Sequence, residues 1–168
     1  MQNPYIPAPV EVVKIVTEVD TKDIKTFRFA FQNKEDEAAF QYLPGQFAEL
    51  SIFGKGESPI GIASSPTQPG YLEFTVQKAG VVTSALHEME VGAVMGIRGP
   101  LGNSWPIDFL AGKNIVIVGG GFAFTTLRSS MEGESSQGCE RFSASTPKGL
   151  GLDYFPSPCY ARCCILTH

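Results

Sequence analysis

The sequence predicts a mainly β protein. We expect a small six-stranded antiparallel Greek-key barrel with one helix, followed by the first β-turn-α unit of an incomplete α/β domain and an irregular tail. Short apolar stretches alternate with polar residues through the first 112 positions, and Gly/Pro turns separate them. Four consecutive β-branched residues, Ile115 to Val118, then lead directly into three glycines. From Ser129 the sequence becomes polar and aperiodic.

The composition limits the classes of function. A chain of 168 residues, 43% hydrophobic and 18% charged, has the size and make-up of one globular domain or slightly more. A net charge of −4 without a basic run argues against a nucleic-acid partner. No apolar run is as long as a membrane span, and the N-terminus shows no secretory signal. A cytoplasmic location is therefore expected.

The first half of the barrel is predicted from three stretches. Residues 7–20 form a strand with a possible irregularity at Val12 and Val13. In the later part of residues 24–31, Phe alternates with Thr and Arg along the chain, which is typical of an antiparallel strand with one solvent-exposed face. The charged residues 33–39 are interpreted as a loop, and a Pro-Gly turn then leads into a strand at 47–53.

The second half continues with a short strand at 58–64 and a clearly alternating strand at 71–77. Residues 82–90 have helical composition and spacing, and Thr83 or Ser84 is placed to cap that helix. A last strand at 93–98 and a connector at 103–112 complete the barrel.

Two glycine-containing turns suggest binding of a phosphate group. At Gln77 to Ser84, a strand ends, a glycine follows and hydroxyl residues begin a helix, so free backbone N–H groups and the helix dipole meet at one point suited to a pyrophosphate. The simpler alternative, a capped helix after a glycine turn, remains open. At Ile115 to Gly121, a strand buried on both faces and a glycine run are typical of the opening of a nucleotide-binding domain.

Five motifs in order resemble the ferredoxin–NADP reductase superfamily over roughly residues 8–128. They are Pro44-Gly-Gln-Phe47, Ser58-Pro-Ile-Gly-Ile62, Gly80-Val-Val-Thr-Ser84, Gly99-Pro-Leu-Gly-Asn103 and Ile115 to Gly121. The most similar branch contains the gamma subunits of sulfhydrogenases and the electron-transfer subunits of dihydroorotate dehydrogenase and sulfite reductase complexes. The resemblance implies a flavin-binding barrel at 1–112, the start of an NAD(P)-binding domain at 113–128, and a tail at 129–168 that lies outside the family.

The resemblance also implies a function. NAD(P)H would reduce a flavin, FAD or else FMN, which would pass electrons to an iron–sulfur or hydrogenase/dehydrogenase subunit of a hetero-oligomeric complex. The implied flavin-binding residues are Pro59, Ile60, Gly61, Ile62, Val76, Gln77 and Lys78, with Gly80, Thr83 and Ser84 on the pyrophosphate. Gly119, Gly120 and Gly121 would begin the nicotinamide site. No catalytic side chain and no metal ligand is predicted.

The sequence departs from the family pattern at two places. The family has Arg, any residue, Tyr or Phe, and then Ser, whereas Ser58, Ile60 and Gly61 stand at those positions. A charge-assisted phosphate contact and a stacking ring are therefore missing, and flavin would bind more weakly or through other contacts. No strand–helix alternation follows Arg128, which favours a truncated or frame-shifted chain.

The second departure leaves a competing function open, namely an inactive barrel remnant that at most binds flavin or a partner. The late cysteines, Cys139, Cys159, Cys163 and Cys164, fit neither a tetrahedral metal site nor the spacing of the family's iron–sulfur cluster.

Overall fold

The structure is a computed structural model that describes residues 5–110 and 125–129. The described strands are β1 Ala8–Thr17, β2 Ile24–Phe31, β3 Phe47–Ile52, β4 Gly56–Gly61, β5 Leu72–Gln77 and β6 Val94–Leu101. The described helices are α1 Lys34–Ala39, α2 Val81–His87 and α3 Ile107–Leu110, and residues 125–129 are also helical.

The six described strands form one sheet in the order β4-β3-β6-β1-β2-β5, and neighbouring strands in it are antiparallel. The connections from β2 to β3 and from β5 to β6 each pass over neighbouring strands, which is the Greek-key arrangement. Just beyond β4, the Ala63 N–H donates to the Glu73 carbonyl of β5 at 2.8 Å, and this bond joins the two ends of the sheet. The predicted six-stranded antiparallel Greek-key barrel is confirmed, whereas the predicted β-turn-α unit and irregular tail fall mostly outside the described residues.

The core lies inside the barrel and takes alternate residues from each strand. Its fully buried side chains include Val10, Val12, Phe27, Phe29, Ala48, Leu50, Ile62, Phe74, Val76, Leu86, Met95 and Ile97. The rings of Phe29 and Phe74 meet edge to face with centroids 5.9 Å apart. Leu86 brings the inner face of α2 against this core.

The irregularity predicted in the first strand is present. The register of β1 against β2 shifts between Val12 and Lys14, so Val13 is the extra residue of a bulge. The bulge turns the Val13 side chain outwards, where it is 41% exposed. Val13 and Lys14 therefore both face outwards, and Val12 and Ile15 on either side of them both pack on the core.

Several predicted boundaries are wrong. Residues 34–39 form α1 rather than a loop, because the Asn33 side chain accepts from the Glu35 N–H at 2.8 Å and three acids lie in the first turn. The fourth strand begins at Gly56 and ends at Gly61 instead of spanning 58–64, and the sixth strand runs on to Leu101. The barrel thus has more than the one helix predicted.

The outer face of β2 is less exposed to solvent than predicted. Thr26 is buried, and its hydroxyl lies 2.8 Å from the hydroxyl of Thr75 in β5. Arg28 donates to the buried carboxylate of Glu73 and places its guanidinium 3.9 Å from the centre of the Tyr71 ring. Polar pairs therefore cover this face. Over the described ranges, none of the helices has the length and apolar character needed to cross a bilayer.

Candidate functional site

A depression of about 320 Å³ lies where β4 meets the start of α2. It is lined by Glu57, Ser58, Ala79, Gly80, Val81, Val82 and Thr83. These residues include part of the predicted pyrophosphate turn and the position at which the family pattern has Arg. A side chain added at Gly80 would meet nothing within 4 Å, so the backbone there is open to a ligand.

Thr83 shapes the turn that enters α2. The helix is capped by Gly80, and Thr83 is its third residue, so the prediction that Thr83 or Ser84 is the cap is wrong. The Thr83 Oγ1 accepts from the N–H groups of Gly80 at 2.8 Å and Ala79 at 3.0 Å. Both N–H groups are thereby satisfied within the protein. Val81, Val82 and Thr83 of the first helical turn, whose N–H groups have no partner within a helix, line the depression.

Ser84 has a different position from Thr83. Its N–H donates to the Gly80 carbonyl at 2.8 Å within the helix, and its side chain is half-buried. Ser84 does not line the depression. Of the two hydroxyl residues predicted to hold a pyrophosphate, Thr83 is therefore the one that borders the open volume.

Glu57 is the charged side chain among the lining residues. Its Oε2 accepts from Arg98 of β6 at 2.8 Å, and Ser51 of β3 donates to the other carboxylate oxygen. The hydrogen bond from Arg98, followed by that from Ser51, lowers the pKa of Glu57 below its usual value. The carboxylate thus stays ionised at neutral pH, and Arg98 balances its charge at the rim of the depression.

The predicted flavin-binding residues of β4 point in different directions. Pro59 is exposed, whereas Ile60 packs against the core and Ile62, just beyond the strand, is 1% exposed. Side chains buried in this way contribute to the core, so any contact of Ile62 with a ligand would come from its backbone. Gly61 lies between them and contacts Thr126 from the helical segment 125–129.

The end of β5 shows the same division. The Val76 side chain is fully buried, and its carbonyl lies 2.9 Å from Nε2 of His87 in α2. Gln77 and Lys78 are exposed, and the Lys78 N–H donates to the Asp23 carbonyl at 2.7 Å. His87 packs edge-on against Phe27, so it holds α2 against the barrel.

Segment 125–129 contacts the barrel through side chains that sequence analysis did not single out. Arg128 pairs with the buried carboxylate of Glu73 at 2.9 Å. The Gly45 N–H donates to the Ser129 hydroxyl at 3.4 Å, and that hydroxyl donates to the Thr126 carbonyl at 2.9 Å. The sequence signal available for this contact is Glu73 itself, the single charged residue of β5 and a buried one.

Some predicted site residues lie outside the described ranges, namely Gly119, Gly120 and Gly121, as do the four cysteines. Across residues 5–110 and 125–129, no group of three or more His, Cys, Asp or Glu side chains is arranged to hold a metal ion.

Residues 11–105, which span most of the barrel, match the profile of a family described as the oxidoreductase FAD-binding domain. The gamma subunit of sulfhydrogenase 1 from Pyrococcus furiosus is 38% identical over 127 residues, which are 76% of this chain and 43% of that protein. A probable dihydroorotate dehydrogenase B (NAD(+)) electron transfer subunit from Methanocaldococcus jannaschii is 34% identical over 102 residues, or 60% of this chain and 36% of that one. The chain therefore spans less than half the length of these two relatives.

The fold is also similar to that of a ferredoxin–NADP+ reductase from Plasmodium falciparum, solved with 2'P-AMP. The TM-score is 0.65 at 14% identity, and the match covers 78% of this chain and 54% of that one. At this identity, the similarity concerns the fold alone.

Proposed function

Because the chain belongs to the oxidoreductase FAD-binding domain family, we propose that it is an electron-transfer subunit that carries electrons between NAD(P)H, FAD and an iron–sulfur partner. The family match confirms the predicted family and its FAD cofactor. The observation that carries the proposal is the open depression at β4 and α2, which lies inside the matched range of residues 11–105.

The residues around the depression fit the pyrophosphate of FAD. Gly80 leaves its backbone open, and Thr83 fixes the turn, so N–H groups of the first turn of α2 can reach phosphate oxygens. The volume of about 320 Å³ is of the size expected for part of a nucleotide ligand. The Glu57 carboxylate would repel a phosphate, but its pairing with Arg98 reduces that repulsion.

The remaining predicted residues are assigned by family membership. Pro59, Ile60, Gly61 and Ile62 would lie along the flavin, with Ile62 acting through its backbone. Val76, Gln77 and Lys78 would run beside it, and Ser84 would support the turn below the pyrophosphate. Gly119, Gly120 and Gly121 remain proposed for the nicotinamide. The domain division at residues 112 and 128 also remains a proposal.

When bound, FAD would accept a hydride and release electrons one at a time. The protein's own part is to bind, orient and shield the cofactor. The turn at Gly80 and Thr83 would fix the phosphate end, and the core residues behind β4 would keep that strand rigid. These binding and positioning roles need no acid–base side chain from the barrel.

Partnership within a larger complex is supported by the relatives. The sulfhydrogenase and dihydroorotate dehydrogenase proteins are named as subunits, one of them as an electron transfer subunit. We therefore propose that this chain likewise acts beside an iron–sulfur or hydrogenase/dehydrogenase subunit, within a hetero-oligomeric complex.

The test is reconstitution of the purified full chain with FAD, with FMN as the comparison. We expect a yellow protein that retains FAD through gel filtration in a one-to-one ratio. Replacing Gly80 with Val, which puts a branched side chain into the open space, should remove the bound FAD while leaving the thermal unfolding midpoint nearly unchanged. A parent chain that retains no flavin would contradict the proposal and favour the barrel remnant instead.

A further inference from the structure

Thr126 fills the space that Gly61 leaves at the end of β4. A Cβ added at Gly61 would overlap the Thr126 hydroxyl oxygen and would lie 2.9 Å from Cγ2 and 3.1 Å from Cβ of that threonine. Real Cβ atoms do not tolerate such contacts, so the two positions together accommodate one side chain rather than two. That side chain comes from segment 125–129 instead of from β4.

The barrel holds Thr126 firmly in this place. Arg128 forms its 2.9 Å ion pair with Glu73, and Ser129, which is fully buried, accepts from the Gly45 N–H. The Ser129 hydroxyl in turn donates to the Thr126 carbonyl at 2.9 Å. These contacts, at positions 128 and 129, therefore fix the segment just after Thr126, and they come from β5 and from the turn before β3.

The Thr126 hydroxyl is available for a ligand. The residue is half-buried, and no residue in the described part of the chain forms a hydrogen bond with its Oγ1. A hydroxyl can both donate and accept, and a group of this kind at a partly enclosed position gains from a polar partner.

We infer that Thr126 supplies the hydroxyl group at the end of β4 and that this hydroxyl contacts the bound flavin, in place of a side chain at position 61. The inference rests on the proposed FAD site along β4. It makes Thr126 a flavin-contact residue contributed by the segment after the glycine run. Glu73 and Arg128 would then be positioning residues that act through Thr126.

The test compares four variants of the full chain for FAD affinity, for the visible absorption and circular dichroism of bound FAD, and for thermal unfolding. Thr126→Val keeps the shape and removes the hydroxyl, so we expect FAD affinity to fall about 5- to 10-fold, with an altered visible spectrum. Thr126→Ser retains the hydroxyl and should stay within about 2-fold of the parent.

The complementary test moves the hydroxyl-bearing side chain from position 126 to position 61. Gly61→Ser alone should displace Thr126, lower the unfolding midpoint and weaken FAD binding. The double variant Gly61→Ser with Thr126→Ala places one hydroxyl-bearing side chain in the same space, so it should recover most of the parent's affinity and midpoint.

Two results would overturn the inference while leaving the proposed function intact. One is a Thr126→Val variant that binds FAD with the parent's affinity and spectrum. The other is a double variant that binds FAD no better than Gly61→Ser. A parent chain that binds no FAD would instead overturn the proposed function, and this inference with it.

Discussion

Glu73 and Arg128 form an ion pair of 2.9 Å between β5 and the helical segment 125–129, and their side chains are only 8% and 14% exposed. Glu73 also accepts from Arg28 at 2.7 Å through its other oxygen. One buried carboxylate thus binds two guanidinium groups, one from the barrel and one from the segment beyond it. Removing such a shared acceptor takes charge-assisted bonds away from two guanidinium groups at once, which costs more than the loss of a surface pair.

Glu73→Gln is expected to lower the free energy of unfolding by about 2–3 kcal/mol, because charge-assisted bonds to both arginines are lost. Urea unfolding measures the change, and trypsin should cut after Arg128 faster than in the parent. The matched control is Glu11→Gln, the same substitution in a strand, at a carboxylate that forms no salt bridge within the described ranges. Equal urea midpoints for the two variants would contradict the expected role of Glu73.

Gly45→Ala tests the turn that supports segment 125–129. Gly45 has φ +94°, and an added Cβ would lie 2.6 Å from the indole Nε1 of Trp105. We expect a loss of about 2–3 kcal/mol in unfolding free energy, since backbone strain and displacement of Trp105 add. Fluorescence of Trp105, the single tryptophan of the chain, reports the displacement.

Gly54→Ala is the matched control for that experiment. Gly54 also has positive φ, +75°, but nothing lies within 4 Å of an added Cβ. The backbone strain alone should cost about 1–2 kcal/mol and leave the Trp105 emission unchanged. If both variants lose the same stability and emit alike, packing of Trp105 on the turn contributes nothing.

The sequence predicts the strands well because the alternation of apolar and polar residues is visible within each short stretch. Phe27 and Phe29 alternate with polar residues, and the adjacent Val12 and Val13 indicated the bulge that the register shift shows. The sequence does not predict α1 as a helix because the helix has no buried residues, and its sequence therefore has no apolar stripe. Its signals were instead the cap Asn33 and the acids of its first turn.

The site was predicted only in part, for a different reason. The turn at Gly80 and Thr83 could be found because glycine and hydroxyl residues adjoin in sequence. The contact between Gly61 and Thr126 joins residues 65 positions apart, and no local pattern predicts which distant side chain fills a glycine's space. A missing side chain in a motif is therefore ambiguous until the fold shows what occupies its place.

The Glu57 and Arg98 pair predicts a dependence of stability on pH. Bonds from Arg98 and then Ser51 lower the pKa of Glu57 from its ordinary value of 4.5. An acid whose pKa is lower in the folded state contributes stability above 4.5, and that contribution is lost as the pH falls through the lowered value. Urea unfolding should therefore show the parent more stable than Glu57→Gln at pH 6, with the difference shrinking as the pH falls below 4.5.

Salt gives an independent check on that pair. Both side chains are partly exposed, at 22% for Arg98 and 35% for Glu57, so 1 M NaCl should shrink the difference at pH 6. A difference that persists unchanged at acid pH and high salt would show that the substitution acts through packing instead.

His87 predicts a second dependence on pH, at higher values. Burial lowers the pKa of His87 from its ordinary 6.5, and the charges of Lys25 and Lys78 lower it further, while the bond to the Val76 carbonyl and the charge of Asp23 oppose this. The unfolded chain then binds more protons than the folded one just below pH 6.5, so stability falls with acidification through that range. His87→Gln can still donate to Val76 but does not titrate, and its unfolding free energy should change less between pH 7.5 and 5.5. Parallel curves for the two proteins would rule out this role.

Thr83→Ala tests the turn proposed to hold the FAD pyrophosphate. The Thr83 hydroxyl satisfies the N–H groups of Ala79 and Gly80, so its loss should leave the turn less ordered and weaken FAD binding by about 1–2 kcal/mol. Thr83→Ser keeps the hydroxyl and should bind FAD nearly as the parent does.

Ser84→Ala removes a hydroxyl that does not line the depression, so we expect a smaller loss of FAD affinity. The double alanine variant should lose about 1–3 kcal/mol of FAD binding. Fluorescence titration with FAD measures all four proteins. If Thr83→Ala binds FAD as tightly as the parent does, the pyrophosphate is held elsewhere than at the start of α2.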